Sequence, residues 1–86
     1  MVRLDLSAPR LEARYIPSRS VLRVRATDDG TLDAVEVRVP GARTRLLRRA
    51  VVTLRMRPRG TTRVTVVARD LAGNRTTRVL RIRGAR

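Results

Sequence analysis

Apolar and polar residues alternate along most of this chain with a period of two. In Val21–Ala26, Leu22, Val24 and Ala26 fall on one face while Arg23 and Arg25 fall on the other. Ala34–Val39, Val52–Arg57, Val64–Arg69 and Leu80–Arg83 repeat the pattern. Such alternation marks strands with one face on a core and one in water, and the β-branched enrichment of the runs agrees. A first strand is read over Arg10–Ile16. Turn chemistry falls between the runs: Pro17-Ser18-Arg19-Ser20, Asp28-Asp29-Gly30, Pro40-Gly41, Arg57-Pro58-Arg59-Gly60 and Leu71-Ala72-Gly73-Asn74. These clusters supply Gly for positive φ, Pro for fixed φ and Asx side chains that cap turns. Short strands at this regular spacing predict an all-β, antiparallel sandwich or small barrel of about seven strands. Leu22, Val24, Val35, Val37, Leu54, Val64, Val66, Leu80 and Ile82 are the expected core.

One segment carries two readings. Over Arg43–Met56, Leu47, Ala50, Val51 and Leu54 would line one face of a basic amphipathic helix, the kind that lies on a membrane or a nucleic acid. Against this, Val51-Val52-Thr53 is a β-branched run, and arginines crowd the end where a helix wants a cap and acids. Strand is favoured for Val51–Arg57, with Arg43–Leu47 as a short edge strand.

Composition narrows the chemistry. The chain has 86 residues, which implies one domain: residues 10–83 as the sandwich, 1–9 as a linker or N-terminal extension and 84–86 as a tail. It contains neither Cys nor His, so no disulfide braces it and the usual zinc and copper ligands are missing. The sole aromatic is Tyr15, which leaves the core to aliphatic side chains. Nucleophilic catalysis lacks both a thiol and an imidazole base, and no Gly-rich loop has phosphate-cradle spacing. The chain is therefore read as non-enzymatic, with no cofactor. No apolar run is long enough to span a bilayer. Met1–Arg10 lacks the apolar block of a signal peptide, so export of a parent protein would need a signal further upstream.

Charge is the strongest compositional signal: 21 basic residues, all Arg, stand against 7 acids, for a formal net charge of +14. Arg in place of Lys fits a GC-rich coding sequence, but that does not explain the excess of positive over negative. Polyanion binding is the functional reading. Its candidates are Arg23, Arg25, Arg38, Arg55, Arg57, Arg81 and Arg83, which fall on strand faces. Arg forks bind phosphate or sulfate in pairs. The competing reading is a solvated surface that also discourages edge-to-edge pairing. Without aromatic platforms, recognition of single-stranded bases or stacked sugars is not expected.

Two stretches resemble each other. Leu22–Asp28 and Val64–Asp70 both read apolar-x-Val-x-Ala-x-Asp, and the second runs on through Leu71-Ala72-Gly73-Asn74. This Val-x-Val-x-Ala-x-Asp-x-Ala-Gly-Asn stretch resembles the last hairpin of bacterial immunoglobulin-like (fibronectin type III-like) repeats of extracellular proteins, of the Arg-rich actinobacterial type. Ser7-Ala8-Pro9-Arg10-Leu11 is similar to their opening. The chain lacks the Cys pair, core Trp and corner Tyr of antibody domains. The resemblance implies an all-β, antiparallel immunoglobulin-like β-sandwich of about seven strands, and an extracellular or cell-surface spacer, display or adhesion module whose partners are neighbouring domains of the same polypeptide. In the implied topology Asp5, Asp28, Asp29, Asp33, Asp70 and Asn74 gather at one pole, and Arg19, Arg43, Arg57, Arg59, Arg83 and Arg86 at the other. Head-to-tail charge complementarity between copies follows as an expectation. Asp28, Asp29, Asp70 and Asn74 are candidate calcium ligands. The alternative for the same residues is Asx turns that hold backbone N–H groups, and it is favoured because no recognised calcium-loop spacing is present.

Overall fold

A computed structural model of the chain describes residues 8–28, 32–41, 43–57 and 60–83. The alternating runs form seven strands: β1 (Arg10–Ile16), β2 (Val21–Thr27), β3 (Leu32–Arg38), β4 (Arg45–Leu47), β5 (Val51–Arg55), β6 (Thr61–Asp70) and β7 (Arg75–Arg83). They pair antiparallel in two sheets, one ordered β1-β2-β5 and the other β4-β3-β6-β7. Arg43–Met56 forms β4 and β5 rather than a helix, as its β-branched run favours. The short edge strand begins at Arg45, two residues later than the sequence reading placed it.

The inward faces meet in one aliphatic core. Leu11, Leu22, Val24, Ala26 and Val52 come from the first sheet; Val35, Val37, Val64, Val66, Ala68 and Ile82 come from the second. Leu54 and Leu80, expected in the core, pack against it but stay half-buried. Leu54 lies on an edge strand of the smaller sheet and Leu80 on an edge strand of the larger one, where the sandwich is open at the side. Between Leu32 and Ala34 the register of β3 on β6 shifts. The irregularity sets Ala34, which is still buried, opposite Arg69 and leaves Val35 and Val37 inward, as a bulge does by adding one residue to one strand.

The turns fix the strand order locally. In the last hairpin Gly73 takes φ +94°, a left-handed conformation open to glycine, and its N–H donates to the Asp70 carbonyl at 3.2 Å. In the first hairpin the Ser20 N–H donates to the Pro17 carbonyl at 3.2 Å.

The registers also orient the molecule. Arg10 lies opposite Thr27, Leu32 opposite Asp70 and Arg69 opposite Arg75, so the start of β1 and the β6–β7 hairpin share one end. The Thr76 hydroxyl, donating to the Pro9 carbonyl, ties the two sheets there. Ile16–Val21, Arg38–Thr65 and Thr61–Arg83 mark the other end. The backbone thus enters β1 at one end of the sandwich and leaves β7 at the opposite end.

Candidate functional site

Strand pleating sends alternate residues to opposite faces, and sheet membership then decides which arginines meet. On the outer face of the three-stranded sheet, Arg14 lies directly opposite Arg23, Glu12 opposite Arg25, and Arg55 opposite Val21. Arg23, Arg25 and Arg55 therefore share a face, joined by Arg14, which the sequence reading did not single out. The outer face of the four-stranded sheet carries Arg38, Arg81 and Arg83, with Arg63 opposite Arg81. Arg57 lies beyond the end of β5, outside either ladder. The seven candidates are thus divided between two opposed faces and one loop. Period-two alternation distinguishes in from out, but it does not say which sheet a strand joins.

Arg38 is also engaged within its own strand: its Nε donates to Glu36 Oε2 at 2.7 Å. This is the one ion pair found among the described residues. Arg14, Arg23, Arg25, Arg55, Arg63, Arg81 and Arg83 are exposed.

Asp70 and Asn74 close on each other. Asp70 is 2 % exposed. Its Oδ1 accepts the Asn74 backbone N–H at 2.8 Å, and its Oδ2 accepts the Asn74 side-chain amide at 3.0 Å. The Asp70 N–H donates in turn to the Asn74 carbonyl at 3.0 Å. Both carboxylate oxygens thus hold the hairpin. Asp28 is half-buried at the end of β2. Asp29 and Asp5 lie outside the described residues, as do Arg59 and Arg86. No group of three or more acids or other metal-binding side chains occurs among the described residues.

The pole carrying Asp28, Asp33 and Asp70 also carries Arg10, Arg69 and Arg75, paired in register around it. Arg19, Arg43, Arg57 and Arg83 lie toward the opposite end. The charge difference between the poles is therefore smaller than a list of acids suggests.

A groove of about 410 Å³ opens at that second end, between the edges of β4 and β5. Val37, Val39, Leu54 and Met56 line it together with Arg43, Arg45, Arg55 and Arg57. Sequence reading did not find this groove, because it joins segments from both sheets. A second feature was equally hidden: the Tyr15 hydroxyl donates to the Met56 carbonyl at 3.1 Å, and the Met56 N–H donates to the Ser20 carbonyl at 2.7 Å. These bonds hold the chain leaving β5 against the β1–β2 hairpin.

Seven antiparallel strands in sheets of three and four, packed through one core, define an immunoglobulin-like β-sandwich. Its fourth strand pairs with the third, not with the sheet of the first two as in constant-type antibody domains. The fold matches the crystal structure of the PKD1 domain from the Vibrio cholerae metalloprotease PrtV. The TM-score is 0.62 and the identity 19 %, over 93 % of this chain and 100 % of that one. At that identity the likeness establishes the fold. No family model matches the sequence, and no curated protein matches it.

Proposed function

We propose that the chain is a non-catalytic spacer or display module of a larger extracellular bacterial protein, set between or beside other domains. The observation that carries this reading is the placement of the first and last strands. β1 starts at one end of the sandwich and β7 finishes at the other, so a module of this kind sets its neighbours apart along its long axis. The ten residues of β6 correspond to a strand of about 30 Å at ~3.3 Å per residue. A PKD domain from a metalloprotease shares the fold, which supports an accessory place beside other domains. The missing Cys and His support a role without nucleophilic catalysis. Fold alone does not fix function; the chain path supplies the specific argument.

Small-angle X-ray scattering of one copy and of two copies joined in tandem tests the reading. A spacer lengthens the particle by about 30 Å per added copy, the strand length given above. Two copies that fold side by side, with little increase in the largest dimension, would overturn it.

A polyanion-binding module is the alternative. The shared face of Arg14, Arg23, Arg25 and Arg55 favours it, while the division of the other arginines onto the opposite face favours a solvated surface.

A further inference from the structure

The groove between β4 and β5 has a feature that the outer faces lack: an apolar floor beside a free strand edge. β5 pairs with β2 alone among the described strands, and β4 with β3 alone. The Ala50 carbonyl and the Met56 N–H both bond toward β2 or its turn. In an antiparallel strand successive residues direct their backbone groups to opposite sides, so Val51, Thr53 and Arg55 turn theirs to the open edge. Along that edge Leu54 and Met56 expose apolar surface into the groove, facing Val37 and Val39. Arg43, Arg45, Arg55 and Arg57 stand around it, and no carboxylate pairs with any of them among the described residues.

From this we infer that the edge of β5 is a docking site for an extended peptide in which acidic and apolar residues alternate. Backbone bonding to β5 supplies the register, as in other cases of strand addition. One face of the added strand places its apolar side chains against Leu54 and Met56. The other, continuous with the outer face of the three-stranded sheet, presents carboxylates to Arg55 and toward Arg57 beyond it, whose planar guanidinium forks take carboxylate oxygens in pairs. Charge complementarity selects the peptide: a neutral strand would leave these cations unpaired, and a polyacid without apolar positions would leave the groove floor wet. Single-stranded nucleic acid is disfavoured at this site, because stacking needs aromatic platforms and the sole aromatic, Tyr15, has its hydroxyl tied to Met56.

The test is fluorescence anisotropy with a labelled peptide of alternating Glu and Val at physiological salt. Its controls are polyglutamate of equal charge, a peptide with the same residues in two blocks, and heparin. The alternating peptide should bind about tenfold or more tightly than each control, a difference of about 1.4 kcal/mol. Arg55→Ser with Arg57→Ser should remove that preference, while Arg81→Ser with Arg83→Ser on the outer face of the four-stranded sheet should leave it intact. Thr53→Pro deletes an outward N–H from an edge strand, where proline is tolerated, and should weaken binding similarly. Circular dichroism checks that each variant is folded, and the surface Arg variants carry the test if the Pro variant is not. Equal binding of polyglutamate, the block peptide or heparin would overturn the proposal. So would a preference that survives loss of Arg55 and Arg57.

Discussion

Tyr15 shows how one side chain can hold elements far apart in sequence. Its hydroxyl bonds the Met56 carbonyl, 41 positions away, and so pins the end of β5 to the first hairpin. Replacing it by Phe keeps the ring and removes the donor, so Tyr15→Phe should lower unfolding free energy by about 1 kcal/mol. Urea denaturation measures this, and an unchanged midpoint would show that the bond contributes nothing net. That contact was not legible in the sequence, because periodicity carries no information about partners so distant. Asp70 is the opposite case. Its two acceptor oxygens meet Asn74 within a single hairpin, and the Asp-x-Ala-Gly-Asn spacing suffices to suggest an Asx turn there.

At the scale of strands, alternation located β2, β3, β5, β6 and β7 and most of the core, because a half-buried strand must place apolar residues at every second position, while β1 and the short β4 were read between the turn clusters. Leu54 and Leu80 fit the alternation as well as Val24 does, yet remain half-buried on edge strands whose Val52 and Ile82 are buried, since the pattern does not say how far along an edge the opposite sheet covers it. For the same reason the candidate arginines were legible as outward-facing but not as belonging to different faces. Pairing introduces conflicts that no single strand reveals. Arg14 and Arg23 lie directly opposite on exposed faces, and like charges at such positions are destabilising by roughly 0.2–1 kcal/mol. Arg14→Glu should therefore raise the thermal midpoint at low salt, with the gain shrinking as salt is added. A midpoint that falls, or a gain indifferent to salt, would mean that the paired guanidinium groups do not repel as their register implies.

At the scale of the molecule, a formal charge of +14 on 86 residues dominates encounters with anything acidic. With the arginines divided between two faces, a straight polymer engages one group at a time. Binding to duplex DNA and to heparin, measured by anisotropy, should accordingly be alike at matched charge density and fall steeply with salt. Strong preference for one polymer, lost in Arg23→Ser with Arg25→Ser, would instead make the three-stranded face a recognition surface. The path of the backbone has a mechanical consequence as well. Tension applied through Arg10 and Arg83 acts along the strands, while the hydrogen bonds between strands run across them. The ladders are then loaded together in shear instead of opening one bond at a time. The two loaded strands are also joined directly, through Thr76 to the Pro9 carbonyl and Arg78 to the Leu11 carbonyl. The parts that receive the pull are thus clamped to each other before the core is asked to resist it.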